Sequence, residues 1–294
     1  MEHVGFLGVG RMGAAIAARM IEAGTPLTVW NRSPNASVDA LTSAGASVAV
    51  AAREALALPI SFSMLADDSA ADAVLSRENI GFSATERVHV NMASVSAELA
   101  DLLARRFADA GAQYVASPVL GRPEVASRGQ LNALVAGGAE VVDRIEGLLT
   151  TCAARVWRLG EIPRQANAVK ISMNYMLLHA LESMGEAIAL VEAEGVTAED
   201  FADLFTHTFF GGAVHSTYGP IIARRRYSPP GFTLPLGLKD LGLAERLASR
   251  SNVDLGMADV LRARFEAALS DPELADLDWS AVAEISRIRR HVSD

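Results

Sequence analysis

The chain is poor in the residues that staple or anchor a protein. It has one cysteine, Cys152, in 294 residues. No intrachain disulfide can form, and a reducing compartment is the natural setting. The six histidines are scattered, and no HExxH or CxxC spacing occurs, so no metal site is expected. Aromatic residues make up only 6%. Positive charge is short too: 26 Lys and Arg face 35 Asp and Glu, for a net charge of −9. That balance argues against a general nucleic-acid or anionic-membrane binder. The one dense basic run, Arg224-Arg225-Arg226, precedes "YSPPGF" and reads as a solvated loop end. The longest uncharged stretch, "THTFFGGAVHSTYGPIIA", contains glycine, histidine and proline, so it does not read as a membrane span. The N-terminus shows no basic-then-apolar leader and enters a strand almost at once. The expectation is a cytoplasmic protein with no nucleic-acid or membrane partner.

What is present is a substantial core: half of the residues are hydrophobic, and the length suits two domains. "HVGFLGVGRMGAAIAARMIEAG" opens with a short apolar run, then Gly8-x-Gly10-x-x-Gly13, then an alanine-rich helical stretch. Strand, glycine turn and helix in that order make a dinucleotide fingerprint. Gly8 permits the turn, Gly10 lets a pyrophosphate approach, and Gly13 lets helix and strand pack closely. The cofactor contacts expected here run from Gly8 through Val9, Gly10, Arg11 and Met12 to Gly13, at a helix N-terminus with free N–H groups. The next strand, "PLTVWNRSP", ends in Asn31, Arg32 and Ser33 where an NAD site usually has a carboxylate. A guanidinium and a hydroxyl suit a 2′-phosphate, so NADP(H) is preferred, with NAD(H) the alternative. Ser33-Pro34 also fits as the cap of the following helix.

Strand-like and helix-like segments go on alternating: "PISFSML", "RVHVNMAS", "SAELADLLARRFADAG", "AQYVAS", "LNALVAGG" and "RVWRLG". The pattern predicts an α/β fold: an N-terminal doubly wound parallel sheet of the Rossmann type over residues 1–162. Ligands meet the carboxyl ends of such strands. That points to Met64, Leu65 and Ala66, to Ser94, and to the segment from Ser117 to Arg122. Glu161-Ile162-Pro163 reads as a helix start and Gly195 as a stop, with Gly185 the only breaker between. A long interdomain helix over 163–195, roughly 45 Å, is expected. Its apolar positions are not confined to one stripe, which predicts burial on nearly all sides. One ammonium, Lys170, falls in this stretch, with Asn174 on the same face one turn later. A lysine there either snorkels to water or is held for chemistry. Residues 196–294 read as several more helices, an all-α C-terminal domain.

"GFLGVGRMG", "NMASVS", "SPVLGRPEVASRGQLNALVAGG", "KISMN" and "LGLKDLGLA" follow one another in that order. With them the chain resembles the β-hydroxyacid dehydrogenases, the group of 3-hydroxyisobutyrate dehydrogenases and glyoxylate or succinic-semialdehyde reductases that carry a 6-phosphogluconate-dehydrogenase type NAD-binding domain. The resemblance runs nearly end to end. It implies that Lys170 is the catalytic lysine, Asn174 its neighbour, and Ser94 a residue beside the nicotinamide and the substrate. It implies that Lys239 touches the cofactor and that Asp240 lies near the substrate. It implies a helical domain that often dimerises, hence a homodimer or higher homo-oligomer. The chain also departs from the family pattern. Leu120 stands where members have a serine before a glycine pair, and Arg122 replaces the second glycine after Gly121. Arg164 and Ala166 replace the glycines that usually precede the lysine. The chain looks like a divergent branch. Leu120, Gly121 and Arg122 remain its substrate segment: either Arg122 takes over the serine's hold on a substrate carboxylate, or the substrate is less acidic.

These residues predict hydride transfer between NADP(H) and a small aldehyde, keto acid or hydroxy acid, with Lys170 giving or taking the proton. A desolvated ammonium has its charged form disfavoured, which suits that task. Reduction of a C=N bond, as in the related imine reductases, is the alternative within enzymes, although those usually lack the lysine. A dinucleotide-binding sensor without turnover is the alternative outside them. Ser94 also reads as a helix cap, and Lys239-Asp240 also reads as a surface pair of little weight.

Overall fold

The computed structural model describes residues 2–82 and 84–288. Two compact units follow one another along the chain, one up to Lys170 and one from Ile171 onward. Among the described residues no helix is long and apolar enough to cross a membrane.

The first unit is built on a six-stranded parallel sheet of order β3-β2-β1-β4-β5-β6. Its strands are β1 (Val4–Leu7), β2 (Leu27–Trp30), β3 (Ser47–Val48), β4 (Ile60–Ser63), β5 (Val88–Asn91) and β6 (Gln113–Ala116). Every residue of β1, β4 and β5 is buried, as expected where helices cover both faces of a parallel sheet. Val4 pairs with Leu27 on one side and Ile60 on the other, and Phe6 stacks on Phe62 with centroids 6.3 Å apart. Burying each such side chain contributes about 1.5–3 kcal/mol. The strand order reverses between β1 and β4, and a crevice at that point is where such folds bind nucleotides.

The later strands do not extend this sheet, contrary to a single parallel sheet. β7 (Val119–Leu120), β8 (Leu131–Val135) and β9 (Ala153–Arg158) form a second sheet of three. β7 pairs antiparallel with β8, and β8 parallel with β9. Residues 121–130 hold only the short helix Pro123–Ala126, and a parallel crossover needs a dozen or more residues. A bridge from Ala116 to Ala136 joins the two sheets.

Caps fall where side-chain geometry permits. Asn35, not Ser33, caps helix Ala36–Ser43 through Val38 N–H. Ser96, not Ser94, caps helix Ala97–Asp109 through Leu99 N–H. Both alternative cap readings are thereby corrected, and Ser33 and Ser94 are left without that duty.

The long helix spans Arg164–Ala193, and Gly195 follows it at φ 83°, the left-handed turn that stops a helix. Gly185 does not break it. A Cβ there would lie 2.6 Å from Ala283 Cα, so this glycine is the contact through which a neighbouring turn packs. Burial on all sides does not hold: Met173, Met176 and Leu190 are exposed. Among the described residues the named elements of the second unit are all helices, with a core that includes Leu178, Leu181, Ile188, Leu234, Phe265 and Trp279.

Candidate active site

Gly8 sits at φ 88°, and a Cβ on it would meet Met64 O at 2.4 Å. A Cβ on Gly13 would meet Gly8 O at 2.0 Å. Both positions admit glycine alone. Gly10 is different: nothing lies within 4 Å of its missing Cβ, so the space above it is open to a ligand. It caps helix Arg11–Glu22 with no side-chain bond. The N-terminus of that helix, at Arg11 and Met12, lies at this opening, the place where such folds hold an anion. Val9 N–H donates to Asn31 Oδ1 at 3.1 Å, and Asn31 Nδ2 donates to Ser33 O at 2.8 Å. Asn31 thus ties the glycine turn to the end of β2 and acts on the cradle through the backbone. Arg32 and Ser33 are exposed beside it.

At the end of β4, Met64 and Leu65 are half-buried and Ala66 is exposed. Ser94, half-buried, follows β5 in a turn held at several points. Met92 N–H donates to Ser63 O at 2.8 Å, Ala93 N–H to Asn91 Oδ1 at 3.0 Å, and Ser96 N–H to Asp68 Oδ1 at 2.9 Å. Beneath the turn lies a buried polar network that the sequence reading passed over. Ser61 Oγ lies 2.8 Å from His89 Nδ1, and Ser63 Oγ lies 2.9 Å from His89 Nε2. Asn91 Nδ2 donates to Tyr114 Oη at 3.0 Å. His89 stacks on Phe107 at 4.9 Å. Burial drives the His89 pKa down from 6.5 to about 3, so it is a neutral bridge. Burial likewise pushes the Tyr114 phenol upward. The signal for this network was there: Ser61 with Ser63, and His89 with Asn91, recur at the two-residue period that puts side chains on one face.

Leu120 belongs to β7 and is half-buried. Gly121 follows at φ 139°, where a Cβ would meet Leu131 Cδ2 at 2.5 Å. Arg122 is half-buried at the N-cap of Pro123–Ala126. The segment from Ser117 to Arg122 is thus strand and turn rather than an open loop. Ser117 is fully buried.

Lys170 is half-buried on the long helix. The Arg164 guanidinium donates to Asp101 Oδ1 at 3.0 Å, which anchors the start of that helix to helix Ala97–Asp109. In the second unit, Asn174 is 5% exposed and its amide N–H donates to Asp240 Oδ2. Lys239 Nζ lies 3.1 Å from Asp240 Oδ1. The surface-pair reading of Lys239 and Asp240 fails, because Asp240 is only 2% exposed. A buried carboxylate needs such partners. Asn174, Lys239 and Asp240 therefore form one cluster, reached from two helices.

Comparison with known proteins settles the lineage. Residues 3–160 match the NAD binding domain of 6-phosphogluconate dehydrogenase. Residues 165–286 match the NAD-binding region of NADP-dependent 3-hydroxyisobutyrate dehydrogenase. The chain belongs to the β-hydroxyacid dehydrogenase family. This dehydrogenase is 33% identical over 281 residues to an uncharacterized oxidoreductase, YfjR, of Bacillus subtilis, covering 95% of this chain and 98% of the relative. It is 29% identical to the chloroplastic glyoxylate/succinic semialdehyde reductase 2 of Arabidopsis thaliana, covering 96% of this chain and 78% of that one. Among solved structures it matches Psf3 in complex with NADP+ and 2-OPP at a TM-score of 0.84 and 26% identity, covering 96% and 99% of the two chains. A member of this family is a nicotinamide-dependent oxidoreductase acting on a small molecule. The residues fit that cofactor: Gly10 leaves room for a pyrophosphate, and the uncapped helix behind it supplies N–H donors.

Proposed function

We propose that this β-hydroxyacid dehydrogenase interconverts a small aldehyde or keto acid and the matching hydroxy acid with NADP(H), and that Lys170 is its proton donor and acceptor. One observation carries the reading. From Gln165 to Leu181 the long helix has a single full charge, and that ammonium is half-buried one turn before Asn174, itself bonded to buried Asp240.

The bound nicotinamide supplies or takes the hydride. The chain must place the carbonyl and manage the proton. An ammonium beside the carbonyl oxygen donates in reduction, and the neutral amine accepts in oxidation. Asn174, with its N–H committed to Asp240, keeps its carbonyl oxygen for the amine or the substrate. The family resemblance gives Ser94, in its braced turn, the nicotinamide side and Lys239 a cofactor contact. Leu120, Gly121 and Arg122 meet the substrate, with Arg122 in place of the family's serine. The Arg32 side chain holds the 2′-phosphate, a reading supported by the solved relative's complex with NADP+. Residues 1–162 are the cofactor domain, 163–195 the connecting helix and 196–294 the substrate and self-association domain.

Retention of Lys170 argues against a pure sensor, since binding a dinucleotide needs no amine there. The test is Lys170→Ala. Turnover of semialdehydes and glyoxylate should drop by roughly 100-fold or more, while NADPH binding, followed by fluorescence titration, stays at the wild-type value. Undiminished kcat in the variant removes the lysine from the mechanism.

A further inference from the structure

Asn167 lies one helical turn before Lys170 and is 1% exposed. Neither its Nδ2 nor its Oδ1 has a hydrogen-bond partner among the described residues. A buried amide with both ends unsatisfied is costly and rare, so these two groups call for a polar partner. Residues three apart on a helix share a face, which puts Asn167 beside Lys170.

Its surroundings narrow the choice. Ala166 and Val169, on either side of it, belong to the apolar cluster that also holds Met64 and Leu65 after β4, Ala93 and Val95 after β5, and Leu120 after β6. Those turns lie on the β4–β5–β6 side of the switch point. The nucleotide half placed there is the one opposite the half gathered at β1–β2, where Arg32 and the glycine turn take the adenosine end.

The chemistry narrows it further. A carboxamide offers N–H donors on one side and a carbonyl acceptor on the other. A substrate carboxylate has no donor and would leave Oδ1 bare. A hydroxyl meets one end at a time. A second primary carboxamide meets both at once, edge to edge.

We infer that Asn167 is the residue that receives the carboxamide of the nicotinamide ring. This rests on the dinucleotide reading above and adds a recognition element to it. The paired amides stop the ring from rotating about its glycosidic bond, so Asn167 is a binding and orienting residue and gives up no proton.

The experiment measures binding rather than turnover, on the full chain. The ligands are NADP+, its 3-acetylpyridine analogue, in which a methyl ketone replaces the amide, and 2′-phospho-ADP-ribose, which has no nicotinamide at all. Wild-type protein should bind NADP+ at least about tenfold more tightly than the acetylpyridine analogue. Asn167→Leu should lose that preference and keep its affinity for 2′-phospho-ADP-ribose. Equal wild-type affinity for the two ring forms overturns the proposal, and that measurement needs no variant. A leucine variant that still prefers NADP+, or that loses all three ligands equally, overturns it as well. If wild-type protein binds 2′-phospho-ADP-ribose but shows no ring preference, Asn167 alone is at fault. If it binds none of the three, the dinucleotide reading falls with it.

Discussion

Arg32 is exposed at the end of β2 and no hydrogen bond or ion pair holds it among the described residues. Its neighbour Asn31 spends its amide on Val9 and Ser33. The division is physical: the uncharged residue shapes the cradle, and the charged one stands exposed beside it. Arg32→Ala should therefore weaken NADPH binding by about tenfold or more, a charge-assisted contact being lost. NADH binding should stay within about twofold, which fluorescence titration with both cofactors will read. Equal loss for the two would mean that Arg32 supports the turn and not the phosphate. At this scale much of the site was legible. Gly8, Gly10 and Gly13 announce themselves by spacing, and Lys170 by its isolation in an uncharged run. Asn167 did not. An asparagine in a helix is unremarkable as a letter, and only the absence of partners makes it informative.

The strands and helices were legible because apolar runs and glycine stops are local properties of the chain. Their pairing was less so. β8 and β9 read well as strands, but β7 was not among the strand candidates, and its direction is set by the short connection to β8, which hydrophobic pattern does not encode. Caps slipped for the same reason. Ser94 and Ser96 both suit a helix start, and the choice fell to Ser96, whose own N–H is also taken by distant Asp68. The polar face shared by β4 and β5 has a measurable consequence. His89 is held neutral in the fold, with its pKa near 3 against an ordinary 6.5. The unfolded chain takes up a proton below about pH 6.5 and the folded chain does not until about pH 3. Stability from this residue is therefore complete above the unfolded value and drains away as pH falls between the two. The slope is at most about 1.4 kcal/mol per pH unit. Urea midpoints measured from pH 7 to pH 4.5 should fall more steeply for wild type than for His89→Asn, which cannot titrate. Parallel slopes would show that carboxylates elsewhere govern the acid limb.

At the scale of the whole molecule, the second unit leaves apolar side chains in water. Met176 is 65% exposed, Leu190 70%, Leu204 59%, Phe210 54% and Phe209 97%. Single exposed apolar residues need no explanation, but several large ones in one unit call for a cover. We propose that a second copy of this chain is the cover, as the family resemblance implies. The net charge of −9 opposes such pairing, so association must rest on apolar burial, and salt should strengthen it by screening. Light scattering coupled to gel filtration at micromolar protein should give twice the chain mass or a higher multiple. That mass should persist or rise between 50 mM and 500 mM salt. Leu190→Glu and Phe209→Glu each place a carboxylate at a position already open to water. Neither should lower the melting temperature of the isolated chain by more than a few degrees, since surface substitutions rarely cost much. Combined, they should shift the mass toward a single chain. A wild-type protein that runs as a monomer at every salt concentration would mean that these side chains serve something other than self-association.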